Sequence, residues 1–200
     1  MKNRFFLIIA TVFAAAIITS CAKVPQEALD AASAALEQAK TVQTDVYFPV
    51  EFAALNDSLA VMLQNIETEK SNSAKDFKAI KENADAIAAK AAELAGGVEA
   101  KKAEVKAAAE TMMTDVTALV DEAKALILKA PKGKGGAAAL AEMKDELGVI
   151  EASLAETQAQ FAEEGVNYMA VVDKLKAAKE GLSGLIAELK EAITKAGIKL

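Results

Sequence analysis

Apolar residues recur at three- and four-residue intervals through most of this chain, the spacing that lays side chains along one face of an α-helix. The first series runs Leu29, Ala32, Leu36, Ala39 and Val46, with Pro25 suited to a first helical turn. It predicts a helix over about 26–45 that stops in Asp45-Val46-Tyr47-Phe48-Pro49, because the residue before a proline is pushed out of the helical region. Pro49 opens a second helix with the stripe Phe52, Leu55, Leu59, Met62 and Ile66. After a polar stretch, Ser73 and Asp76 have the spacing of a helix-starting capping box. A long third helix, about 75–129, follows with Phe77, Ile80, Ala84, Ile87, Ala91, Leu94 and Val98. Its stripe resumes one residue out of phase at Val105, Ala109, Met112, Val116, Leu119, Ala123 and Leu126. Gly96 and Gly97 sit beside the slip, and two helical glycines cost about 1 kcal/mol each relative to alanine, so a kink or short break is expected there.

Pro131-Lys132-Gly133-Lys134-Gly135-Gly136 reads as a solvated linker. It lacks the spacing and the Ser/Thr after lysine of a phosphate-binding loop, and no strand precedes it. The fourth helix carries the cleanest heptad: Leu140, Met143, Leu147, Ile150, Leu154, Thr157, Phe161. Gly165-Val166-Asn167 breaks it, glycine suiting a C-cap and asparagine the next N-cap. The last helix shows Val171, Leu175, Ala178, Leu182, Leu185, Leu189 and Ile193, with Gly181 and Gly184 marking either close approach of a neighbouring helix or local weakness.

A weak internal repeat aligns Leu55-Asn56-Asp57-Ser58-Leu59 with Met143-Lys144-Asp145-Glu146-Leu147, and Phe77-Lys78-Ala79-Ile80 with Tyr168-Met169-Ala170-Val171. The architecture this predicts is all-α: an elongated, coiled-coil-like antiparallel bundle of two three-helix units, 26–97 and 98–200, sharing the long third helix. A single compact five-helix bundle is the competing arrangement.

The first twenty residues break this pattern. Lys2 and Arg4 precede fourteen mostly apolar residues, Phe5 to Ile18, and then Thr19 and Ser20 lead to Cys21. This is the form of a signal peptide, and its apolar run is shorter than the roughly 20 residues a helix needs to cross a bilayer. Ile18-Thr19-Ser20-Cys21 resembles the lipobox of bacterial lipoproteins. That resemblance implies cleavage after residue 20, diacylation of the Cys21 thiol, and often acylation of the new amino end. Two or three acyl chains hold a protein at a membrane where one does not. The alternatives are an ordinary signal peptide with a chance cysteine, or an uncleaved anchor. Residues 21–25 then form a lipid-anchored tether. Ala22, rather than Asp, follows the cysteine, which by resemblance to Gram-negative sorting favours the periplasmic face of the outer membrane.

Without Lys2 and Arg4 the 23 basic residues fall to 21 against 29 acidic ones, a net of −8. That balance argues against nucleic acid and against electrostatic binding to anionic lipid. Only six aromatics remain, Tyr47, Phe48, Phe52, Phe77, Phe161 and Tyr168, so the composition fits helices packing over narrow alanine-rich seams. The Tyr47-Phe48-Pro49 cluster reads as a packed corner. Cys21 is the only cysteine, which leaves no internal disulfide.

The chain has no histidine, which removes histidine-bearing triads, HExxH and Glu-x-x-His metal sites and ordinary zinc centres. Adjacent acids such as Asp121-Glu122 and Glu163-Glu164 point about 100° apart on a helix and do not converge. No nucleophile has a base beside it, so no enzyme, cofactor or metal is expected.

Pro25-Gln26-Glu27-Ala28-Leu29, the alanine-spaced helix after it, and Tyr47-Phe48-Pro49-Val50-Glu51 resemble an uncharacterised alanine-rich helical domain of bacterial envelope lipoproteins, whose pattern is Tyr-x-Pro-x-Glu opening a second helix. The resemblance covers about residues 22–95. Some members carry a peptidoglycan-binding domain, of which this chain shows no sign, and Ile198-Lys199-Leu200 departs from the terminal lysine of murein-linked lipoprotein. The functional expectation is a membrane-anchored scaffold or spacer of the cell envelope, offering helical faces to a protein partner or to itself. The alternative is a carrier of lipid or another small apolar ligand between amphipathic helices.

Overall fold

The computed structural model describes residues 23–71, 77–131 and 136–199, and within them the chain is all-α with no strand. Six helices follow in order: α1 Gln26–Thr41, α2 Thr44–Tyr47, α3 Pro49–Ser71, α4 Lys78–Lys129, α5 Ala137–Phe161 and α6 Tyr168–Lys195. The Ser73 and Asp76 capping pair lies outside the described residues, as do 132–135 of the linker.

Helix α1 begins as expected, the Pro25 carbonyl accepting from the amides of Ala28 and Leu29. It ends earlier than the apolar spacing predicts. At Gln43 the backbone turns left-handed, with φ 68°. The chain then restarts as the one-turn α2, where Val46 and Tyr47 donate to the Gln43 carbonyl. A left-handed non-glycine residue costs about 1–2 kcal/mol. The cost of the turn that Gln43 makes is offset by burial of the Tyr47 side chain, which is 2% exposed.

Helix α4 has no break at the glycine pair. It runs unbroken for 52 residues through Gly96 and Gly97. A Cβ on Gly97 would stand 3.4 Å from the Phe48 ring, so the missing side chain makes a seat for that ring against the helix backbone. Gly96 faces open space. The apolar stripe read from the sequence is the buried face of α4, with Ala84, Ala91, Ala109, Val116 and Ala123 fully buried.

The contacts divide the chain into two compact units: residues up to Gln38 with Glu51–Ala92, and Ala39–Val50 with Glu93–Leu200. Segment 39–50, assigned by sequence to the first unit, belongs with the second. In the first unit α4 packs against α1 and α3. Its buried residues are Leu29, Ala32 and Leu36 of α1, Phe52, Met62 and Ile66 of α3, and Ile80, Ala84 and Ile87 of α4. Alanines at 32 and 84 let the helix axes approach closely, which suits a core with few large side chains.

The second unit is a three-helix arrangement of α4, α5 and α6. Lys174–Glu156 at 3.3 Å and the approach of Ile150 to Gly181 place α5 and α6 antiparallel. Lys179–Asp115 at 3.2 Å and Lys190–Glu122 at 2.7 Å, both rising in number along the two helices, place α4 and α6 parallel. Lys124 pairs with Glu151 across α4 and α5. These partners are about half exposed, so solvent screens each pair and its main effect is to fix register. The fully buried Leu175, Leu182, Leu189 and Ile193 of α6 supply the larger hydrophobic share.

Local signals hold in this unit. Asn167 caps α6, its Oδ1 accepting from the Ala170 amide at 3.2 Å. Gly165 takes φ 75°, inside the turn rather than at the α5 C-cap, which is Ala162. A Cβ on Gly181 would meet Ile150 Cδ1 at 3.3 Å, the close approach foreseen, whereas Gly184 faces open space. Thr157, the one polar residue in the α5 heptad, satisfies its hydroxyl on the Ser153 carbonyl at 2.7 Å.

Gly96→Ala should raise the thermal midpoint of the far-ultraviolet transition by about 2–4 °C, because helix propensity improves by about 1 kcal/mol with nothing displaced. Gly97→Leu should lower it, because the new side chain must evict the Phe48 ring. Equal effects of the two would show that Gly97 is no seat.

Candidate functional site

The residues carrying the strongest sequence signal, Ile18, Thr19, Ser20 and Cys21, lie outside the described residues. The described chain opens at the exposed Lys23, with α1 starting at Gln26.

Four of the six described aromatic residues, Tyr47, Phe48, Phe161 and Tyr168, lie in the second unit. Phe161 and Tyr168, at the facing ends of α5 and α6, have ring centroids 5.4 Å apart at 58°. The Lys106 ammonium on α4 lies 5.9 Å from each ring. Tyr47 reaches this cluster from α2, its hydroxyl accepting from the Tyr168 amide at 3.4 Å. That amide is one of the donors left without an intrahelical partner at the start of α6. The arrangement is a packed corner with every ring engaged. Its one imperfection is the Thr44 Oγ1, buried with no hydrogen-bond partner.

Acidic neighbours do not converge. Glu122 is paired with Lys190 and its neighbour Asp121 lies towards Lys124. No group of three or more Cys, Asp or Glu side chains among the described residues could hold a metal ion. The resolved pKa shifts belong to ion pairs. A hydrogen bond to Glu151 holds the Lys124 ammonium above the usual lysine range. The Glu191 carboxyl is held below its ordinary value by hydrogen bonding and charge from Lys195, 2.6 Å away. The Glu191 contribution is therefore present above the ordinary glutamate pKa and lost as pH falls through the lowered value.

The feature that the pattern reading missed lies in the first unit. A groove of about 830 Å³ runs between α3 and the first part of α4. Leu55, Val61 and Met62 line it from α3, and Ala79, Ile80 and Ile87 from α4. Val61 is 55% exposed. Polar residues accompany them: Asp57, Asn65 and Glu69 on one wall, Asn83 and Lys90 on the other. The signal in the sequence was a second series, Ser58, Val61 and Asn65, at helical spacing from Leu55 of the stripe, and Leu55 itself is only half-buried. Mixed polarity hid it, since a half-polar stripe looks like an ordinary solvated face.

No protein-family model, curated protein or solved structure matches the chain.

Tyr47→Phe should lower unfolding free energy by about 0.5–1 kcal/mol, the hydrogen bond being long and the ring retained. Thr44→Val should leave stability unchanged or raise it by about 1 kcal/mol, since it removes an orphaned buried hydroxyl. Urea titrations of the two variants measure both; a destabilising Thr44→Val would mean that the hydroxyl has a partner.

Proposed function

We propose that this chain is a membrane-anchored bacterial lipoprotein that acts as a structural or interaction protein of the cell envelope. The observation that carries the reading is the charged, apolar leader ending at Ile18-Thr19-Ser20-Cys21, whose cysteine is the chain's only thiol. Residues 1–20 are then removed, Cys21 carries the acyl chains, and Ala22 directs the protein to the periplasmic face of the outer membrane. Among the described residues no helix is long and apolar enough to cross a membrane, so a lipid on Cys21 supplies the attachment. The likeness of the Tyr47-Phe48-Pro49-Val50-Glu51 pattern to alanine-rich envelope lipoproteins points the same way.

What the helices then offer is surface. Exposed apolar side chains such as Val61 and Leu63, and a groove with polar groups on its walls, support a protein partner over an acyl-chain cargo. Asp57, Asn65, Glu69 and Asn83 line that groove, and an acyl chain lying there would satisfy none of them.

Growing cells with labelled palmitate and cross-linking the whole protein in place tests both halves. Label is expected on the native chain and none on Cys21→Ser, with a discrete protein captured only when Cys21 is intact. Unlabelled native chain would overturn the anchor, and capture of nothing but lipid would overturn the interaction role.

A further inference from the structure

Among the described residues the groove between α3 and the first part of α4 is an uncovered seam, open where a fourth helix would lie in a bundle. Its charges say what kind of helix that would be. Asp57 and Glu69 stand near its two ends on α3, about 18 Å apart along the helix axis. Neither makes a hydrogen bond or ion pair among the described residues. Other acids nearby are engaged: Glu67 with Lys70 at 2.6 Å and Asp85 with Lys81 at 2.7 Å. Lys90, the one cation lining the groove among the described residues, is also engaged. The unmatched charge of the groove is therefore negative, at both ends of an apolar stretch made by Leu55, Val61, Met62, Ile80 and Ile87.

We propose that this groove docks an amphipathic helix of another protein, apolar on the face that meets Val61 and Ile87 and carrying a basic side chain near each end to meet Asp57 and Glu69. The assignment rests on the interaction reading above and gives it a surface and a partner chemistry, but it does not depend on the lipid. Apolar contact along α3 and α4 supplies the affinity, and the two carboxylates set orientation and reject acidic helices. Asn65 and Asn83 offer amides to the polar flank of the incoming helix.

The test uses the whole chain in phosphatidylcholine vesicles, with protein-free vesicles as the blank. The probe is a labelled 18-residue amphipathic peptide with a leucine-alanine stripe and two arginines three helical turns apart; its twin carries glutamates instead. Fluorescence anisotropy should show the arginine peptide binding about tenfold more tightly than the twin, and Asp57→Lys with Glu69→Lys should reverse that preference. Circular dichroism of the double variant, unchanged because both sites are on the surface, keeps that comparison interpretable. Equal binding of the two peptides, or a preference indifferent to the double variant, would overturn the proposal. So would sedimentation showing a dimer of this chain that Val61→Glu dissociates, which would give the groove to a second copy. A protein captured in cells by a chain whose groove discriminates nothing would keep the interaction role and sink this surface.

Discussion

Close approach of helices along one narrow stripe of α4 is the constraint on which both units depend. The stripe is built from small and branched side chains, with Ala84, Ala91, Ala109, Val116 and Ala123 wholly buried. An alanine hides little apolar area, roughly a methyl group's worth, so such a seam is stable only if the neighbouring helix comes near enough to exclude water along its whole length. Larger side chains are buried on the neighbouring helices, Leu36 in the first unit and Leu175, Leu182 and Leu189 in the second. Gly181 extends the same logic, admitting Ile150 where any Cβ would crowd it.

That economy of side chains leaves the few aromatics to close the corners. Tyr47 and Phe48 leave the line of α1 through a left-handed Gln43 and enter the second unit, where one caps the start of α6 and the other seats on Gly97. The conformational cost at Gln43 and the orphaned Thr44 hydroxyl are both confined to the three residues that make this turn. Buried aromatic surface outweighs them, since a buried ring contributes more than either penalty removes.

What the core leaves outside differs between the two units. The second unit binds its helices together with ion pairs between α4, α5 and α6, which complete its polar faces. In the first unit α3 and α4 flank a groove whose apolar floor and unmatched carboxylates are not consumed by the fold. Such a surface can serve recognition, which needs shape and charge and no reacting groups.

Periodicity made the helices legible without a structure. Three-four spacing is a local property, and the stripes through Ile80, Leu147 and Leu182 became the buried faces of α4, α5 and α6 with the Asn167 cap in place. The Ile18-Thr19-Ser20-Cys21 signal was equally a matter of sequence, and no tertiary information bears on it. Three things needed the fold. Gln43 turns left-handed although nothing marks it as a glycine or asparagine would, because burial of Tyr47 some residues later dictates the turn. Gly97 looked like a helix weakness until the Phe48 ring, distant in sequence, was found against it. The α3–α4 groove depends on which faces two antiparallel helices leave uncovered, and that is decided by long-range packing, which local spacing does not encode.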